Sequence, residues 1–102
     1  MGLDINIFSV HRAVATKPAD AYFGSRYVAK PRWKQVAYER GAWELHDLLA
    51  TLYRKQGGTE EEFNNANVRL YKRDLRLLHA PLAEAILEHM KKGRVVYAES
   101  SF

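Results

Sequence analysis

A two-layer α+β domain is predicted by three features of this chain. Leu3-Asp4-Ile5-Asn6-Ile7-Phe8 alternates apolar and polar residues, apolar residues recur at three- and four-residue steps after Val36 and again after Arg73, and a short apolar run, Val95-Val96-Tyr97, follows the second periodic stretch. Three strands and two long helices, each with one apolar face, are buried most simply as a small antiparallel or mixed sheet with both helices packed on one side. With 102 residues the chain is expected to form a single domain (1–102) that buries roughly 60–70% of its unfolded surface in one core.

The first strand follows from Leu3, Ile5 and Ile7, which fall on one face of an extended chain. From 12 to 35 periodicity fades and Pro18, Gly24 and Pro31 punctuate the chain, so this segment reads as a long basic and aromatic excursion, a type of connection that is often functional. Val36 to Gln56 predicts the first helix, with Tyr38, Gly41, Ala42, Leu45, Leu48, Leu49 and Leu52 forming one stripe and Gly57-Gly58 ending it. Thr59-Glu60-Glu61-Glu62 has the form of a helix start, so a short solvated turn is expected up to Asn65.

Asn67 to Tyr71 alternates and predicts the second strand. Leu75, Leu78, Leu82, Ile86 and Met90 then mark a second helical stripe. Pro81 interrupts it, so a kink or two abutting helices are expected. Lys91-Lys92-Gly93 closes that element, with cations at the negative end of the helix dipole, and Arg94 to Glu99 predicts the third strand.

Charge is unevenly placed. Arg12, Lys17, Arg26, Lys30, Arg32 and Lys34 face Asp20 alone between residues 12 and 34, more than the whole net charge of +4, whereas residues 58–102 are balanced. Attraction for an acidic partner is therefore focused on the first third of the chain. The absence of cysteine removes disulfides, thiolate metal sites and cysteine nucleophiles, and His11, His46, His79 and His89 show no metal-ligand spacing, so neither a metal nor a cofactor is expected. No apolar run reaches the length of a membrane span, and a cytoplasmic protein is the expectation.

Met1-Gly2-Leu3-Asp4, together with Tyr38, Arg40, Ala42 and His46 in the spacing Tyr-x-Arg-x-Ala-x-x-x-His, resembles a group of small proteins encoded by bacteriophages and prophages. Asp74-Leu75-Arg76-Leu77-Leu78 and the C-terminal Tyr97-Ala98-Glu99-Ser100-Ser101-Phe102 are similar to further features of that group, in which the Tyr-to-His motif is placed on a helix. The resemblance implies a phage origin and no particular activity. Small phage accessory proteins often act by binding host or defence components, which makes a host-interaction or anti-defence role the expectation.

The side chains that point to binding are Arg26, Tyr27, Lys30, Arg32, Trp33 and Lys34, where aromatics interleave with cations, together with Arg40 and Trp43, read as a solvent-facing patch on the first helix. The structural alternative places Tyr38 and Ala42 in the core, His46 at its edge, and Arg40 in a pair with Glu44. A host or defence protein with an acidic surface is the expected partner. The same 22–34 segment also suits single-stranded nucleic acid, through stacking platforms and backbone charges. An enzyme using Asp4, Arg40 and His46 is a further alternative, since His46 and Asp4 could form an oriented acid–base pair, but no serine elbow or cysteine supplies a nucleophile.

Overall fold

The fold is that of a computed structural model describing residues 2–15, 17–21 and 33–102. Its strands are β1 (Asp4–His11), β2 (Trp33–Arg40), β3 (Ala66–Leu70) and β4 (Arg94–Ser101), and its helices are α1 (Trp43–Lys55) and α2 (Ala80–Lys91). The strands form one antiparallel sheet in the order β2-β1-β4-β3. Both helices bury their apolar stripes on one face of that sheet. Leu49, Leu52 and Tyr53 of α1 and Leu82 and Ile86 of α2 join Leu3, Ile5, Ile7, Val68, Leu70, Val96 and Ala98 in a single core.

The sheet has four strands rather than the expected three, because the opening residues of the anticipated Val36–Gln56 helix, Val36 to Arg40, belong to β2. Tyr38 and Arg40 fall on one face of a strand as readily as Tyr38, Gly41 and Ala42 satisfy a helical step, and pairing with β1 decides between them. Gly41 then takes φ +69, a left-handed conformation that ends the strand and turns the chain into α1. Opposite the junction of Ile7 and Phe8 the register slips, so that Ala37 pairs with Ile7 and Gln35 with Phe8. Val36 is the extra residue of this β-bulge, and both Val36 and Ala37 pack toward the helices.

Glu60 to Asn65 forms bends in place of the expected helical turn. Residues 72–77 form a 3-10 helix ahead of α2, and Pro81 sits in the first turn of α2, where its missing amide proton costs nothing. The apolar stripe after Arg73 is therefore split, as Pro81 demands, between a 3-10 segment and an α-helix.

A second, smaller cluster lies on the face away from the helices, where Phe8, Val10, Ala21, Val95 and Tyr97 are buried with Ala15 and Trp33 against them. The chain after β1 crosses this cluster and reaches the outer edge of β3. There the Arg69 amide donates to the Pro18 carbonyl (2.8 Å), the Asp20 amide donates to the Asn67 carbonyl (3.0 Å), and the Asn67 side chain grips both backbone groups of Ala21 (2.9 and 2.8 Å). Asp20, at φ 54, is held from the helix side by the Tyr53 hydroxyl (2.6 Å) and by the amide and hydroxyl of Thr59 (2.9 and 3.1 Å). Burial pushes the Asp20 carboxyl up, but these donors and Lys17 outweigh it and hold the group below its ordinary 3.8.

Tyr53 is fully buried and its hydroxyl also accepts the Glu60 amide (2.8 Å), so the hydroxyl is held as both donor and acceptor. Gly58 lies directly against the Tyr53 ring, and a Cβ there would overlap its Cε and Cζ atoms. Gly58→Ala is accordingly expected to destabilise the fold by about 1–3 kcal/mol through overpacking. Urea denaturation measures this, and an unchanged midpoint would show that the ring is free to move.

Candidate binding surface

Trp33, Lys34 and Arg40 lie on β2 and Trp43 opens α1, while Arg26, Tyr27, Lys30 and Arg32 lie outside the described residues. Arg40 and Trp43 are thus on a strand and a helix joined by the Gly41 corner, not on one helical face. The i,i+4 relation expected of Arg40 and Glu44 does not apply across such a corner. The Tyr-x-Arg-x-Ala-x-x-x-His residues likewise run from strand into helix: Tyr38 and Arg40 on β2, Ala42 at the helix cap, His46 in α1.

Trp33 is partly structural, stacked on Phe8 with ring centroids 5.0 Å apart. Lys34 is exposed and pairs with Ser9 across the ladder, and exposed Arg40 pairs with Asp4. Trp43 keeps 49% of its surface in solvent while meeting His46 and Phe102 edge-on, both at 5.4 Å. Tyr38, 48% exposed and missed as a binding residue because it matched the helical stripe, donates its hydroxyl to Asp4. That bond raises the Tyr38 phenol above its ordinary value, with desolvation adding to it.

The two edges of the sheet differ. The Gly41 amide donates to the Leu3 carbonyl (2.8 Å), which makes Ile5–Glu39 the next hydrogen-bonded pair and turns the backbone N–H and C=O of Tyr38 and Arg40 outward. Among the described residues nothing pairs with that outer row of β2, whereas β3 is covered by residues 18–20. Glu39 is engaged by His79 at 3.7 Å and Asp4 by Tyr38, while Lys34 and Arg40 have no carboxylate partner among the described residues.

Asp4 and His46 are not brought together. Ser100 pairs with Ile5 and shares its helix-side face, and the His46 Nδ1 lies 2.9 Å from the Ser100 hydroxyl; Asp4, one residue along, points to the opposite face. The His46 imidazole is 8% exposed and ringed by Trp43, Phe63 and Phe102 at 5.2–5.8 Å. It lines an open groove of about 370 Å3 with Thr51, Arg54, Glu61, Phe63 and Phe102. This is an aromatic corner that fixes the end of β4 against α1. Among the described residues no group of three or more metal-ligating side chains gathers.

Sequence reasoning gave no hint of a third assembly. Ser9 is fully buried, and Arg94 donates from Nε to the Ser9 Oγ (2.7 Å) and from Nη2 to the Ser9 carbonyl (2.9 Å). The Ser9 hydroxyl lies 2.7 Å from the His89 Nδ1. With Arg94 as donor, and no other acceptor for the hydroxyl proton among the described residues, that proton is assigned to Nδ1, leaving the neutral imidazole protonated at Nε2. A lone Ser in a strand and a lone His 80 residues later carry no spacing signal.

Burial lowers the His89 imidazole from 6.5, and Arg94, Lys92 and Lys34 lower it further, with Glu88 opposing. The unfolded chain therefore binds this proton more readily than the folded one. The resulting stability is complete above about pH 6.5 and is lost as pH falls through the lowered folded value. The unfolding free energy of the wild type, minus that of His89→Gln, is expected to rise with pH across this window; a flat difference between the two urea series would contradict it. No family model matches this chain, and no curated protein or solved structure matches it either.

Proposed function

We propose that this chain is a non-enzymatic binding protein whose β2 edge takes up an extended, acidic segment of a partner protein as an added strand. The observation that carries the reading is the contrast between the two sheet edges: β3 is covered by residues 18–20, whereas the outward N–H and C=O groups of Tyr38 and Arg40 have no partner among the described residues. An eight-residue edge is roughly 26 Å long, enough for strand addition, in which backbone hydrogen bonds supply affinity and alternate side chains supply specificity.

Charge selects the occupant. Lys34 and Arg40 stand on this strand without carboxylate partners among the described residues, and Arg26, Lys30 and Arg32 precede it in the sequence. A second copy of the same edge would bring these cations against one another, and the bulge at Val36 further disfavours self-pairing. Exposed Tyr38 and Trp43 supply the aromatic anchors that protein interfaces favour. The separation of Asp4 from His46 by the sheet supports binding over catalysis. In the setting that the resemblance to phage-encoded proteins implies, the partner is a host or defence protein.

Selection from a random peptide library tests the reading. Enriched ligands are expected to alternate apolar with Asp or Glu residues and to slow hydrogen exchange at the Tyr38 and Arg40 amides. Tyr38→Pro removes one outward amide and leaves the Ile5–Glu39 and Ile7–Ala37 pairs in place, so binding is expected to weaken at least about tenfold. Ligands that bind Tyr38→Pro as well as wild type, or that leave both amides exchanging freely, would overturn strand addition.

A further inference from the structure

The turn after α2 brings four chain segments to one end of the sheet. Gly93, at φ +78, reverses the chain so that Arg94 begins β4 directly beneath the last turn of α2. Its register partner is His11, two residues beyond Ser9, and Ser9 in turn lies opposite Lys34 of β2. Side chains two apart on a strand share a face, so Lys34, Ser9 and Arg94 all point toward α2 and toward His89 in its last turn. Lys92 follows at the helix cap.

We propose that this cationic end, formed by Lys34, His89, Lys92 and Arg94, binds a phosphate group. Three observations carry the inference. The first is a concentration of charge: Arg94, Lys92 and Lys34, from three elements, act on one imidazole, and among the described residues the carboxylate opposing them, Glu88, is shared with Lys91 at 3.7 Å. Cations gathered in this way repel one another and, after burial, add to the disfavour for a protonated imidazole, and an oxyanion relieves both costs.

The second is preorganisation. Ser9 is fully buried and fixes the His89 ring through Nδ1, which directs the Nε2 proton away from Ser9. His89 is only half-buried, Lys34 and Lys92 are exposed, and both lysines act electrostatically on its ring. Arg94, held by its two bonds to Ser9, contributes its charge from behind. The third is the state of the helix end. The terminal carbonyls of α2, which ordinarily repel anions, accept from Lys92 (His89 carbonyl, 3.1 Å) and Gly93 (Met90 carbonyl, 2.9 Å).

The phosphate has two possible sources with the same chemistry, a small phosphomonoester or the backbone of single-stranded nucleic acid. The site is separate from the outward amides of β2, so its presence or absence does not depend on strand addition there.

The test follows the His89 imidazole by NMR across a pH series, with inorganic phosphate added to the full chain and sodium chloride at matched ionic strength as the reference. Saturable movement of the His89 resonances, and a protonation midpoint that rises with phosphate but not with chloride, are expected. The sign follows because a bound anion favours the imidazolium. Lys92→Ala, which leaves β2 untouched, and Lys34→Ala/Lys92→Ala both alter exposed side chains and keep the fold; the double substitution is expected to weaken phosphate binding about tenfold or more.

A single-stranded oligothymidylate distinguishes the sources. Displacement of phosphate by the oligonucleotide, with a salt dependence that flattens in the double variant, identifies a nucleic-acid backbone. An oligonucleotide that leaves His89 unmoved while phosphate moves it identifies a small phosphate-bearing molecule. A His89 resonance that responds no more to phosphate than to chloride, or a double variant that binds phosphate like the wild type, would overturn the proposal.

Discussion

β1 is held on both sides, by β2 along one edge and by β4 along the other, and each layer of the molecule is defined by which face of this strand it meets. Leu3, Ile5 and Ile7 are fully buried against the helices, whereas Phe8 and Val10 are buried on the opposite face beneath the chain that follows the strand. A strand buried on both faces, with neighbours on both edges, has little freedom to slip, because a one-residue shift would move Asp4 and Asn6 into the helix layer. The β2 bulge, the position of Ser9 under α2 and the separation of Asp4 from His46 all follow from that fixed register.

Strands β1, β3 and β4 and the interrupted second helix were legible in the sequence, since each shows one dominant period. Leu3, Ile5 and Ile7 can only be a strand face, and Pro81 can only sit at a helix start or a kink. The error at 33–40 has a physical source. Tyr38 and Arg40 fit a strand face, Tyr38, Gly41 and Ala42 fit a helical step, and local propensity does not decide between them; an available edge on β1 does. Gly41 was the signal for the change of element, but its positive φ becomes evident only once the corner is formed.

The candidate sites divide in the same way. Trp33, Lys34, Arg40 and Trp43 were visible as exposed-type residues of suitable chemistry, and the structure spreads them along an edge and around a corner instead of across one helical face. Trp33 proved partly a packing residue, because Phe8 offers it a ring to stack on. The Ser9–His89–Arg94 network left no trace in the sequence, since its members are joined by topology: an antiparallel return from α2 to β4 places residues 80 and 85 positions apart within hydrogen-bonding distance.

Sealing of β3 by residues 18–20 also bears on valency. A sheet with two open edges can accept a strand on one side and offer one on the other, and such units can propagate into fibres. Here Pro18, Ala19 and Asp20 occupy the β3 side, and Tyr53 and Thr59 lock Asp20 in place. Among the described residues only the β2 side is left without a strand partner, so under the proposed strand addition the chain would accept one strand and offer none, a terminus rather than a link in β-assembly.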